Sequence, residues 1–219
     1  MRRGIERAAG VRLTHRDRAA LLFVADVGAI RLDDLTALLG VYSDNGGVGS
    51  RTGRGIVARW VRAGLASSEQ VFAGVPSVVQ ITPAGRCWLG LDRRRGKVPF
   101  SRLPHALTVA ALGVGFIRAG QLFVGEYGLQ RELGQIGGNH RPDGILVADR
   151  STVAVEVERT VKSRYRWDEI VGDLLQHYDA VQYWALPPVA TRLHLWARKS
   201  LTQAQRQRLV VRDVSGWSR

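Results

Sequence analysis

The seven residues from Thr152 to Glu158, TVAVEVE, constrain this chain more than any other stretch. Successive side chains of an extended strand point to opposite faces, so Val153, Val155 and Val157 share one face and Ala154, Glu156 and Glu158 the other. Just upstream, Arg141-Pro142-Asp143-Gly144 leads into the apolar run Ile145 to Ala148, which reads as a partner strand in a hairpin. An Asp at the start of one strand and two Glu at the end of the next can gather three carboxylates: Asp143, Glu156 and Glu158. Two readings stay open: a solvated polar face, or a site. As a site, the cluster would hold a hard divalent cation, magnesium or manganese, through oxygen ligands. Such an ion polarises a phosphate and acidifies a water, which phosphodiester hydrolysis requires. A nearby lysine would hold that water or stabilise the charge that develops.

Beyond Thr160-Val161-Lys162-Ser163, residues Arg164 to Ala180 form an amphipathic helix with Trp167, Ile170, Val171, Leu174, Leu175 and Tyr178 as its buried stripe. Arg159, Arg164 and Arg166 stand near the acids and could grip a nucleic-acid strand; pairing with Asp168 or Glu169 is the alternative. Val181 to Leu186 reads as a core strand. The segment after Pro187-Pro188 is undecided between strand and helix. Thr202 to Arg208 is helical and Leu209 to Val214 a closing strand. This alternation predicts an α/β sheet flanked by helices, against which the apolar helix 105–119 would pack. His177 and His194 lack metal-ligand spacing and take no role.

The first part is organised differently. Thr14 caps a helix with Asp17 at its third position and ends it at Gly28; a short helix from Arg31 to Leu39 stops at Gly40. A third helix, Ser50 to Ala63, bears Arg51, Arg54, Arg59 and Arg62, with Ile56, Val57, Trp60 and Val61 as its apolar stripe. Strand-like runs at Ala66–Gln70 and Val75–Thr82 follow, and Thr82-Pro83 starts a fourth helix. Three helices and then a hairpin is the winged helix-turn-helix order. It would lay the third helix in the major groove and the hairpin on the backbone or minor groove. A winged helix used for protein contacts is the alternative, and four arginines on the third helix argue against it.

Composition agrees. The 219 residues carry a net charge of +13, with only Lys97, Lys162 and Lys199 as lysines. Arginine meets phosphate and guanine edges in a forked geometry, so this excess suits nucleic acid. Codon bias can favour Arg over Lys without explaining the uncompensated charge. The single cysteine, Cys87, excludes an intramolecular disulfide and a Cys-rich zinc site. No secretory leader is legible, and the longest apolar run, Ala106 to Ile117, is too short to span a bilayer. Those features predict a cytoplasmic protein with DNA as its partner, no membrane association, and a homodimer left open.

Two resemblances sharpen these expectations. The Thr14 to Asp17 start, the Gly64-Leu65 step and the run Ile81-Thr82-Pro83-Ala84-Gly85 resemble winged helix proteins of the replication-relaxation family of plasmids and mobile elements, over about residues 10–115. In that family a helix beginning with His commonly follows the wing; Pro104-His105-Ala106-Leu107 would begin it, with His105 a capping or packing residue. From about residue 105 to 215 the chain resembles the PD-(D/E)XK nuclease superfamily, with Pro142-Asp143 as the "PD" and Glu156-Val157-Glu158 as the "(D/E)XK" triplet. Glu158 stands where that family expects lysine. The resemblance implies Lys162 as a migrated lysine and Glu126, or secondarily Glu132, as the acid preceding the first core strand. The expected organisation is a winged helix-turn-helix over residues 1–92, a basic linker over 93–104, and a restriction-endonuclease-like α/β domain over 105–219. The function implied is a DNA-binding protein with a magnesium-dependent endonuclease domain, serving replication, transfer or defence of a mobile element. The alternative is a non-catalytic regulator whose second domain serves dimerisation or a further DNA contact.

Overall fold

The computed structural model describes residues 6–8, 10–44, 46–92, 96–132, 140–148 and 151–217. They make a mixed α/β protein that divides into two units, Met1–Ala119 and Gly120–Arg219. In the first, a hairpin of β1 (Glu6–Ala8) and β2 (Val11–Leu13) precedes α1 (His15–Val27). That helix starts where it does because Thr14 and Asp17 exchange hydrogen bonds in a capping box, and it closes on Gly28. A two-residue strand, β3 (Ile30–Arg31), then leads into α2 (Leu32–Val41), which runs through Gly40 instead of stopping there.

α3 (Ser50–Arg62) buries Gly53, Ile56, Val57 and Trp60. Val61, expected in that stripe, is 40% exposed. β4 (Ala66–Glu69) and β5 (Val78–Ile81) pair antiparallel, and β3 adds to the other side of β5, giving the order β3-β5-β4. Thr82 caps α4 (Pro83–Trp88), within which Gly85 lies so close to the Leu65 carbonyl that a Cβ there would fall 2.0 Å from its oxygen. No side chain but hydrogen fits.

A 3-10 turn at Phe100–Arg102 continues into α5 (Leu103–Arg118), which packs on α1, α2 and β3. The expected boundary is therefore corrected. α5 belongs to the first unit, where Leu103, Ala106 and Leu107 join Ala29 and Val78 in a core cluster. It does not open the second unit. Of the expected basic linker, Arg93, Arg94 and Arg95 lie outside the described residues. With its leading turn the helix spans 19 residues, long and apolar enough by composition to cross a membrane, though 56% of that window is buried inside the protein.

The second unit is one mixed sheet. Its strands are β6 (Leu122–Gly125), β7 (Gly144–Ala148), β8 (Ser151–Glu158), β9 (Ala180–Ala185) and β10 (Leu209–Asp213), in the order β10-β9-β8-β7-β6. β6, β7 and β8 pair antiparallel, while β8, β9 and β10 pair parallel. α6 (Glu126–Glu132) follows β6; α7 (Arg164–His177) connects β8 to β9; α8 (Pro187–Ser200) and α9 (Gln203–Gln207) connect β9 to β10. α8 is the segment that the sequence left undecided. Its two prolines occupy the first helical turn, where a missing N–H costs nothing. α7 and α8 cover one sheet face: Ile170, Val171, Leu174 and Leu193 pack with Ala154, Val181 and Tyr183. Trp167 meets Trp196 at 6.0 Å between ring centres.

Candidate functional site

Two surfaces follow from the residues singled out above. On α3 the buried and exposed residues separate cleanly. Gly53, Ile56, Val57 and Trp60 face the core, while Arg51, Arg54 and Arg62 are exposed, and the helix contains no acidic residue. Arg59 departs from expectation. Its Nη2 reaches both carboxylate oxygens of Asp17, at 2.9 and 3.0 Å, so it serves the fold. Asp17 is fully buried and also accepts from Trp60 Nε1 at 3.2 Å and from the Thr14 N–H and hydroxyl at 2.8 Å each. A carboxylate without water must be met by donors in this way.

The hairpin after α3 carries little positive charge at its tip. Residues 70–77 contain no Lys or Arg. Phe72 tilts against Phe100 at 5.5 Å, and Val71 and Phe72 pack onto the cluster beneath. Lys97 pairs with Glu69. The hairpin therefore offers apolar packing and little charge, while α3 displays three exposed arginines.

The second surface surrounds the end of β8. The register pairs Gly144 with Val155, and continuing it by one residue sets Asp143 opposite Glu156. Asp143 Oδ2 accepts the Val157 N–H at 2.8 Å, which pins it to β8. Glu156 and Glu158 are only 6% and 5% exposed, so the solvated-face alternative fails for both. Glu156 Oε1 lies 3.0 Å from His140 Nε2, and the His140 N–H donates to Asp173 Oδ2 at 3.1 Å. Burial pushes the His140 imidazole towards its neutral form. The hydrogen bond to Glu156, that residue's charge and the charge of Asp143 outweigh burial and the opposing Arg166, leaving its pKa raised.

Glu158 is occupied on both oxygens. Oε1 accepts from the Thr160 N–H and hydroxyl at 3.1 Å each, and Oε2 pairs with Lys162. Lys162 thus folds its ammonium back onto the Glu158 carboxylate, four residues earlier in the chain. Glu126 begins α6 and so follows the first core strand instead of preceding it. Its N–H donates to the Asp143 carbonyl at 2.9 Å, while its side chain stands 3.9 Å from Arg141. The Glu132 side chain lies outside the described residues. Arg164 and Arg166 are exposed and face Asp168 at 3.9 Å and Glu169 at 2.6 Å, the pairing held as their alternative.

Among the described residues, no group of three or more His, Cys, Asp or Glu side chains is arranged to hold a metal ion. With Glu158 committed to Thr160 and Lys162, the three-carboxylate ligand set is not formed. Asp143 and Glu156, opposite one another, each keep one oxygen engaged, by the Val157 N–H and by His140. A magnesium held by one or two carboxylates and completed by substrate phosphates is the usual pattern for that ion.

Sequence reasoning missed His140 and Tyr183. Tyr183 sits beside Glu156 in the β8–β9 register, fully buried, and its hydroxyl has no hydrogen-bond partner among the described residues. Burial, then Glu156, Glu158 and Asp143, push its pKa well above the ordinary tyrosine value, with Arg166 opposing. The one available signal for Tyr183 was its place on a strand adjacent to β8. For His140, no spacing rule links a residue three before Asp143 to Glu156. No family model, curated protein or solved structure matches the chain.

Proposed function

We propose that this protein binds duplex DNA through α3, with its first unit acting in the winged helix manner, in the cytoplasm of a bacterium and in the service of a mobile element. The observation that carries this reading is the outward display of Arg51, Arg54 and Arg62 on a helix free of acids, whose opposite face anchors it in a core. A helix of that form can enter the major groove with arginines at its rim, meeting phosphates and guanine edges. The apolar hairpin holds α3 in place more than it grips DNA.

Binding of a labelled duplex should weaken at least about tenfold when Arg51, Arg54 and Arg62 are all replaced by alanine. The slope of log affinity against log salt should become shallower by about one for each phosphate that no longer meets a cation. Undiminished affinity in the triple variant would end the reading.

The second unit favours a hydrolytic reading, as a restriction-endonuclease-like domain. It is supported by the burial of Glu156 beside Asp143 and by the ammonium that Lys162 returns to Glu158. Asp143 and Glu156 would hold magnesium or manganese. The ion would supply Lewis-acid polarisation of a phosphate and a more acidic water. Lys162 stabilises negative charge near Glu158, and Glu156 orients the His140 imidazole. The rival is a non-catalytic regulator that uses this sheet for dimerisation or DNA contact. Supercoiled plasmid incubated with magnesium distinguishes them. Nicking abolished by Asp143→Ala is expected for the nuclease. An intact plasmid with wild-type protein, or nicking unchanged by Asp143→Ala, favours the regulator.

A further inference from the structure

The loop that leaves β8 and the first turn of α7 form a surface of a different kind from α3. Residues 159–166 hold Arg159, Lys162, Arg164 and Arg166 and no acid. Among them Tyr165 is 77% exposed and Val161 52% exposed. α7 turns Trp167, Ile170, Val171 and Leu174 into the core, so Tyr165, two residues before Trp167, stands away from it. The Arg164 and Arg166 side chains, 74% and 50% exposed, touch Asp168 and Glu169 only in open surface pairs. Such pairs are weak in water and exchange readily for phosphate.

We propose that this surface seats an unpaired DNA strand, with Tyr165 stacking on a base and Arg164 and Arg166 meeting the flanking phosphates. The assignment to an unpaired strand comes from the ring. Within a duplex both faces of each base are covered by neighbouring pairs, so an exposed tyrosine finds a free face on a base that is single-stranded or flipped out. Phosphates spaced along that strand then meet cations on either side of the ring. The surface also borders the carboxylates. Lys162 pairs with Glu158, and the charge of Arg166 acts on both His140 and Tyr183. The inference rests on the reading of the protein as DNA-binding but uses a surface separate from α3.

The test measures binding of the full chain to a fluorescein-labelled oligothymidylate and, separately, to a closed duplex hairpin, by anisotropy without metal. Tyr165→Ala should weaken oligothymidylate binding by about tenfold, the scale of one missing base–aromatic stack. Tyr165→Phe, which keeps the ring, should retain it, and duplex affinity should be unchanged in both. The exposed position of Tyr165 leaves folding intact, checked by an unaltered circular dichroism spectrum. The proposal is overturned if wild type fails to bind oligothymidylate, if Tyr165→Ala binds it undiminished, if Tyr165→Phe loses as much as Tyr165→Ala, or if both ligands weaken equally. The triple alanine variant of Arg51, Arg54 and Arg62 separates the two readings. It should lose the duplex and keep oligothymidylate, and a failure in one arm alone removes only the reading attached to that arm.

Discussion

At the scale of single residues, the most heavily used group is Asp17. One buried carboxylate caps α1 through Thr14, receives Arg59 and receives the Trp60 indole N–H. Asp17→Ala leaves these donors facing one another without an acceptor. It should lower unfolding free energy by about 3 kcal/mol, read from urea denaturation, since removing one member of a buried charged network costs that much. Arg51→Ala, on the exposed face, should stay within about 0.5 kcal/mol of wild type. Equal effects of the two would contradict the division between structural and exposed arginines.

His140 offers a second test. Its pKa is raised above 6.5. A group raised in the folded state contributes its stability below the unfolded value and loses it as pH climbs through the folded one. The His140–Glu156 pair should therefore stabilise on the acid side of 6.5 and fade above it. In an NMR titration His140 should titrate above 6.5 in wild type and lower in Glu156→Gln; a midpoint at or below 6.5 in wild type would refute the pairing.

Among elements, α3 carries two glycines with opposite demands. A Cβ on Gly53 would lie 2.2 Å from Thr36 Oγ1 and 3.0 Å from Thr36 Cβ, so the Thr36 side chain of α2 occupies the space that a side chain on Gly53 would need. Gly55 faces open space. Gly53→Ala should destabilise by about 1–3 kcal/mol through overpacking, while Gly55→Ala should stabilise by up to about 1 kcal/mol through helix propensity. Thermal melts that move the same way for both would argue against the observed packing of α2 on α3. Both glycines sit in the same stretch of sequence, and only the neighbour in space tells them apart.

The same division between local and distant causes separates what the sequence makes legible from what it hides. α1, α3, α7 and the β7–β8 hairpin are legible because their caps and periodicities are local. β3 is not, since a two-residue strand exists only through its pairing with β5. α8 is obscured by prolines that read equally as a break or a first turn. Arg59 and Arg54 look alike in sequence; Asp17, 42 residues away from Arg59, separates them. The acids of β8 follow from alternation. Their neighbours His140 and Tyr183 do not, because they come from outside the hairpin.

At the scale of the molecule, charge is shared unevenly between the units. Residues 1–119 carry 18 Lys and Arg against 8 Asp and Glu, and residues 120–219 carry 14 against 11. Long-range attraction to duplex DNA should thus come mainly from the first unit. The association rate should fall steeply with ionic strength in stopped-flow measurements, with Arg164→Ala changing that dependence less than Arg51→Ala does. The strand order of the second unit adds a consequence in the order of synthesis. α2 and β4, which pack on α3, lie before residue 120, whereas Glu156 lacks its β9 neighbour Tyr183 until that strand has been made. Domains fold as units during translation, with earlier ones first. A nascent chain therefore presents its arginine-bearing helix while the acids that follow are still unenclosed.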